Sequence, residues 1–394
     1  MKIKKKQIID YWNKLKETDG FKAFLGSMLA ISMGLFLGIV LMIFVNPSNS
    51  LQGIGRLLMG MFNNPRGGWI GLGQLLYRAT PLFFTGLAVA FAFKTGLFNI
   101  GASGQYTMGI FIAALIGILG DSLGSFQWIL AVLGGMLGGF VWGFIPGFFK
   151  AKFNVHEVIT SIMFNYIGVF LVNGILTSNY LRNEMVDLQR TAKIDQAART
   201  PYGFFDTMFP NTGLDISIFI AIGTAIILYI VLNKTVFGRE LKSVGLNRDA
   251  SKYAGINEKR SIMLSMAISG MIAGLGGALF ILAPSARNFG NTYSIESVIV
   301  AEGFDGIPIA LLAASNPIGV IFSTLFIGYI SLSGIPMQSV GYVSEIVNMI
   351  ISIILYFSAF ALIMTQNIGK IKNLFKKRIK KKPSDQVDVK AGDL

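Results

Sequence analysis

Seven polar side chains interrupt apolar stretches of this chain: Asn99, Gln105, Asn165, Tyr166, Asn173, Glu302 and Asp305. Polar groups are expensive in hydrocarbon, so they tend to face a bundle interior or a water-filled cavity. Asn165, Val169 and Asn173 follow at four-residue spacing, which puts both amides on one helix face. Glu302 and Asp305 are three apart and also share a face. Asn99 and Gln105 flank two neighbouring apolar stretches. Such residues can line a path for a polar solute, or they can hydrogen-bond neighbouring helices at ~0.6 kcal/mol each. The two carboxylates also suit pairing with a cation, or capping irregular backbone near Gly303 and Gly306.

Bond-breaking chemistry is poorly supplied. Cys is zero, which removes thiol catalysis, Cys-ligated zinc and iron–sulfur clusters. The one His, His156 beside Glu157, stands at the mouth of an apolar stretch, a poor basis for a Ser-His triad or a His metal site. No G-x-x-x-x-G-K-[ST] is present, so the chain cannot hydrolyse ATP by a P-loop. H-E-x-x-H is missing, as are a T-V-G-Y-G filter and an Arg-rich voltage-sensing repeat. The run Gly274-Leu275-Gly276-Gly277 lies inside an apolar stretch and reads as packing rather than as a dinucleotide loop. No catalytic residue, metal site or bound cofactor is expected.

The elements that must position the polar groups follow from composition. Of 394 residues, 53% are apolar and only 14% charged, against roughly 25% charged in a soluble domain. Mean hydropathy is +0.61. A soluble protein of this size could not cover its surface with so few charges, and disorder is excluded by the apolar surface available to bury. The expected fold is all-α, a polytopic helical membrane protein. Clean spans are 23–45, 128–149, 216–232, 261–284 and 346–368; less clean ones are 75–93, 105–119, 158–176, 297–314 and 318–335. That is about ten helices, each near the length a tilted span needs. An even count returns both termini to one side.

Charge placement agrees. The net charge is +14, and lysines crowd the segments 1–22 and 369–394. Beside so much membrane-grade sequence, these tails read as cytoplasmic anchors near anionic lipid rather than as nucleic-acid arms. The transmembrane domain is then 23–368. Its loop 234–260 is basic and falls inside, whereas the charge-balanced loop 177–213 falls outside. The first span is too long for a signal-peptide core and no cleavage site follows it. Gly134 with Gly138, Gly135 with Gly139 and Gly143, and Gly270 with Gly274 give small-xxx-small faces for close helix packing.

Within the basic loop, residues 238–255 read as two short helices. Gly245 ends the first, Asn247 N-caps the second and Gly255 ends it. Helices this short need a surface to sit on. That surface is either the lipid headgroups or a soluble partner.

At this loop and in three other places the chain resembles permease subunits of bacterial ABC importers, in the ribose and nucleoside branch. The carrying residues are Gly96-Leu97-Phe98-Asn99-Ile100-Gly101 running to Gln105; Asn154-Val155-His156-Glu157 running through Asn165-Tyr166; Tyr253-Ala254-Gly255 leading into Ser265-Met266-Ala267-Ile268-Ser269-Gly270; and Glu302-Gly303-Phe304-Asp305-Gly306 preceding Asn316-Pro317. The second and fourth patterns point to the nucleoside members. Ser103 stands where that branch usually has an acidic residue, and Pro308 and Ala313-Ala314-Ser315 depart from its pattern.

The resemblance implies the rest of a machine. Two permease subunits, often non-identical, form the pathway through the cell membrane. A cytoplasmic ATPase subunit uses ATP and Mg, and an extracellular substrate-binding lipoprotein delivers a nucleoside. Transport is by alternating access. The coupling segment on the ATPase comprises Arg239, Glu240, Leu241, Gly245, Asn247, Asp249, Tyr253 and Gly255. The pathway candidates are the seven polar residues above, which would meet ribose hydroxyls. A simple sugar such as ribose is the alternative cargo. An ion-coupled secondary carrier would need paired carboxylates in an inverted repeat, and a membrane enzyme would need a cluster of acids, His or metal ligands.

Overall fold

Apolar runs of this length become helices because hydrocarbon offers backbone groups no partner other than the helix itself. The computed structural model describes residues 18–178, 181, 185–186, 189–284, 292–294 and 299–360. Residues 1–17, the expected tail 369–394, the part of the last expected span beyond Phe360, and Arg182, Glu184 and Asp187 of the loop expected outside lie outside the described residues.

The principal helices are α1 (Asp19–Val45), α2 (Ser50–Met59), α3 (Gly68–Lys94), α4 (Ala102–Leu119), α5 (Gln127–Phe153), α6 (Glu157–Leu176), α7 (Ser217–Lys234), α8 (Val236–Leu246), α9 (Arg248–Tyr253), α10 (Glu258–Ile281), α11 (Glu302–Leu312), α12 (Pro317–Leu332) and α13 (Glu345–Phe360). No β-strand occurs among the described residues, only isolated bridges such as Arg190 with Ser294. Among the described residues, eight helical segments are long and apolar enough to cross a membrane. Helix starts are set by side-chain caps: Asn257 accepts from the Arg260 N–H at 3.0 Å and Asn316 from the Ile318 N–H at 3.0 Å.

Helices α3, α4 and α10 form the buried centre, and α1, α5, α6 and α7 each keep a wide apolar face outward. Leu137, Val141 and Ile227 on those faces are exposed, as suits side chains meeting lipid. Packing at the centre depends on glycine. Along α5, Gly135, Gly139 and Gly143 lie directly on Gly270 and Gly274 of α10. A Cβ built at Gly139 would stand 2.7 Å from the Gly274 Cα, and one at Gly143 would stand 2.9 Å from the Gly270 Cα. The two backbones are in contact, which supplies dispersion energy where lipid offers no hydrophobic drive.

One expectation is corrected and one helix is added. The stretch 297–314 was expected to span, but its helix α11 begins at Glu302 and has 11 residues. At ~1.5 Å per residue it is about 16 Å long, half of a ~30 Å hydrocarbon core. Helix α2 was not anticipated. It buries Leu57 while Leu51 and Leu58 stay exposed, and Ser333 Oγ donates to the Leu57 carbonyl at 3.0 Å. The described part of the loop before α7 is packed rather than free. The Asp195 N–H donates to the Gly117 carbonyl at 3.0 Å, and the Thr200 N–H to the Leu282 carbonyl at 2.9 Å. Buried Asp215 accepts from Thr200 and from Ser217 Oγ.

The glycine contact generates a paired prediction. Gly139→Leu forces α5 off α10, costing at least the ~1–3 kcal/mol of an overpacked core. Gly174→Leu adds its side chain where nothing lies within 4 Å. In detergent, the first variant should aggregate or melt at least several degrees early on size-exclusion and thermal unfolding. The second should match the parent protein.

Candidate functional site

The segment expected to dock forms two short helices, but the first runs through Gly245 to Leu246 rather than ending at that glycine. Thr235 caps α8 by accepting from the Gly238 N–H at 3.0 Å, and Asn247 caps α9 by accepting from the Ala250 N–H at 2.9 Å. Gly255 closes the segment in the left-handed region at φ 82°. Leu241 and Val244 face inward, where Val244 joins a small apolar cluster with Leu97, Ala151, Ile262 and Met266. Gly245 rests on the backbone that follows α3, where an added Cβ would stand 2.6 Å from the Thr95 carbonyl carbon. Outward, Leu246 is 89% exposed and Tyr253 94%. Arg239 and Asp249 are also exposed and Glu240 is half-buried. Burial and the neighbouring Lys94 and Arg239 cations push the Lys242 ammonium below its ordinary value. The segment is thus an anchored pedestal that displays an aliphatic and an aromatic side chain.

Immediately behind it lies a knot of buried polar groups. Asn99 Nδ2 donates to Gln105 Oε1 and to Ser269 Oγ, both at 2.7 Å. Gln105 Nε2 returns a bond to Asn99 Oδ1 at 3.1 Å, and Ser269 Oγ donates to the Ala88 carbonyl at 2.6 Å. Asn165 accepts from the Gly104 N–H at 2.8 Å and donates to the Ile100 carbonyl at 3.1 Å. The Thr95 and Ser265 hydroxyls bond each other, and Ser103 donates to the Val300 carbonyl. Asn99, Gln105 and Ser269 are wholly buried. The hairpin between α3 and α4 therefore has its polar groups answered by α6 and α10. Sequence reasoning found Asn99, Gln105 and Asn165 but gave Thr95, Ser265 and Ser269 no role. Their four-residue spacing on α10 was the available signal for the two serines.

The remaining candidates stand elsewhere. Tyr166 is 52% exposed on the outer face of α6, in line with exposed Ile159, Met163 and Phe170. Asn173 is half-buried further along the same helix. Glu302 and Asp305 occupy the first turn of α11, the former half-buried and the latter exposed. That turn is fixed by Gly303 lying against the Ser103 backbone and by Gly306, whose added Cβ would stand 2.5 Å from the Thr85 carbonyl carbon. Thr85 lies well inside α3, so the carboxylates sit away from either end of that span. The first turn of α4 thus touches α6 through Gly104 and α11 through Ser103. His156 caps α6 by accepting from the Val158 N–H at 3.3 Å, and Glu157 pairs with Lys150 at 2.8 Å. Both serve the helix start.

Removing one member of the knot strands the others. Asn99→Leu removes both bonds of the Gln105 amide and leaves Ser269 only the Ala88 carbonyl, at ~1–3 kcal/mol for the stranded amide. Thermal unfolding of the purified chain should show a clear drop. Tyr166→Ala, on an open face, should stay within ~0.5 kcal/mol of the parent. Equal stability of the two variants would refute the distinction between bracing and exposed residues.

Comparison with known proteins finds similarity to transport permeases. The guanosine ABC transporter permease protein NupP of Bacillus subtilis is 36% identical over 348 residues, 88% of this chain and 95% of that protein. The nucleoside ABC transporter permease protein NupB of Lactococcus lactis is 33% identical over 362 residues, 91% of this chain and 97% of that protein. The glucose ABC transporter permease protein TsgB13 of Haloferax volcanii is 28% identical over 309 residues, 74% of this chain and 77% of that protein. No solved structure matches. Residues 71–359 match the family described as the permease component of branched-chain amino acid transport systems, and the chain belongs to that family of multi-pass membrane permeases.

Proposed function

We propose that the chain is the membrane-spanning permease subunit of an ATP-driven importer that brings nucleosides across the cell membrane. The observation that carries this reading is near full-length similarity to two permeases named for guanosine and for nucleosides. Its working partners are a cytoplasmic ATPase subunit, a second permease subunit of different sequence, and an external substrate-binding lipoprotein. Both basic ends lie on the cytoplasmic side, with the docking segment.

The geometry supports a division of labour. Leu246 and Tyr253 are the anchors that enter the ATPase. Large side chains buried at the centre of an interface dominate its energetics. Leu241, Val244 and Gly245 tie that pedestal to the hairpin, and Thr95–Ser265 and Asn99–Ser269 tie the hairpin to α10. The segment, the hairpin and α10 move as one block when ATP closes the ATPase dimer. Asn99, Gln105 and Asn165 brace that block and do not touch cargo. The pathway runs along the open faces beside α4. There Tyr166 and Phe170 offer rings for a base to stack on, and Asn173, Glu302 and Asp305 offer acceptors for ribose hydroxyls. The second permease closes the other side. Alternating access follows from two arrangements of these blocks, biased by nucleotide on the partner. The sugar reading keeps support from the glucose permease relative.

Uptake of labelled guanosine by cells expressing the chain with its neighbouring subunits tests the proposal. Uptake should persist with a protonophore, fail when ATP is depleted, and be competed by unlabelled nucleosides but not by glucose. Competition by glucose alone would move the cargo to sugars, and loss with the protonophore at normal ATP would indicate a secondary carrier. Leu246→Ala combined with Tyr253→Ala should lower uptake at least tenfold while membrane insertion is unchanged. Full uptake would remove the segment from docking.

A further inference from the structure

Between α1 on one side and α3, α11 and α12 on the other lies a cavity of about 650 Å³. Pockets of ~300–1,000 Å³ hold small organic molecules. Its walls are apolar: Ala23, Phe24 and Met28 of α1 face Phe322 and Phe326 of α12, and Lys94 is the charged residue among them. Phe24, Met28 and Phe322 are exposed, so the slot opens outward between two membrane helices. Ser27 Oγ donates to the Leu312 carbonyl at 2.5 Å and holds α1 to the end of α11. The wall beyond is a tight turn in which Ala314 at φ 49° and Ser315 at φ 56° are both left-handed. Two such residues cost ~1–2 kcal/mol each. The Ser315 N–H donates to the Ala310 carbonyl at 2.9 Å and fixes the turn.

The charge at this slot is one-sided. Lys94 ends α3, and both it and Arg239 lie close enough to Lys242 to disfavour the charge on that ammonium, which burial also disfavours. Among the described residues, no carboxylate forms an ion pair with Lys94, Arg239 or Lys242. A lysine on the wall of an apolar slot between membrane helices, with a further cation near it, has the complementarity of a lipid: hydrocarbon for the slot and a phosphate for the charge. Basic pockets between membrane helices on the cytoplasmic side bind anionic headgroups in this way.

We infer that this cavity holds one anionic phospholipid of the surrounding bilayer, with an acyl chain between α1 and α12 and its headgroup at Lys94, in the field of Arg239 and Lys242. The lipid fills the gap that leaves α1 loosely packed and neutralises like charges on the docking segment. It thereby joins the outermost helix to the element that meets the ATPase.

The test uses the assembled transporter reconstituted in nanodiscs of mixed phosphatidylglycerol and phosphatidylcholine, then extracted in mild detergent. Retained lipid is identified by mass spectrometry. The expected result is one phosphatidylglycerol kept per chain in preference to phosphatidylcholine. Lys94→Gln should cut that preference about fivefold, the equivalent of ~1 kcal/mol per basic residue, and Lys94→Arg should retain it. Ala23→Trp, which plugs the slot, should abolish retention. Three results would overturn the inference: equal retention of the two lipids, unchanged retention in Ala23→Trp, or an assembled parent transporter that keeps no lipid. Should Ala23→Trp fail to assemble, Ser27→Cys gives a second reading in this cysteine-free chain. Its alkylation by a membrane-permeant maleimide should be slowed by added phosphatidylglycerol and not by phosphatidylcholine, and equal rates would count against the site.

Discussion

The hydrogen bonds of Asn99 set the terms for the rest of the structure. Between α3 and α4 the chain must reverse direction close to hydrocarbon, and a reversal leaves backbone and side-chain polar groups without helix partners. Each unanswered group there costs several kcal/mol. Asn99 answers this by bonding Gln105 within the hairpin and Ser269 on α10, while Asn165 reaches across from α6 to the Gly104 N–H and the Ile100 carbonyl. One set of amides thus closes the reversal and fixes three helices at its edges. The same amides hold the hairpin at the place where Gly245, in the segment proposed to dock on the ATPase, comes to rest on it.

Glycine makes this geometry available. The contact of α5 with α10 brings two backbones together, and α10 carries Ser265 and Ser269 to the hairpin at a fixed depth. Gly303 and Gly306 do the same for α11, which lets a short helix start inside the bundle with its carboxylates in the first turn. A half-length helix is tolerated in a membrane only when protein covers its irregular end. Here α3 and α4 provide that cover. The bundle is accordingly dense around α10 and loose around α1, where the cavity beside Lys94 is found.

Local features of this arrangement were legible in the sequence. The helical class, the capping of α9 by Asn247, the stop at Gly255 and the glycine faces of α5 and α10 all depend on spacing within a few residues. What depended on distant partners was not legible. Seven polar residues looked alike in the sequence, yet Asn99 pairs with a serine 170 positions away, whereas Tyr166 meets nothing that would bury it. No periodicity separates a brace from an exposed side chain. Residues 297–314 read as a span because composition records apolarity and not the two glycines' backbone contacts. Helix α2 was missed because its ten residues are amphipathic and too short to register as a membrane segment.

The central claim is that the docking segment, the hairpin and α10 form one body through the transport cycle. The chain contains no cysteine, so Thr95→Cys combined with Ser265→Cys places a single pair where two hydroxyls already bond. The most direct measurement is nucleoside uptake by the assembled transporter carrying this pair, compared before and after oxidation and again after reduction. If the three elements move together, the disulfide forms readily and uptake is unchanged in both states. Uptake that stops on oxidation and returns on reduction would show that α3 and α10 must part during transport, contradicting the single-body account.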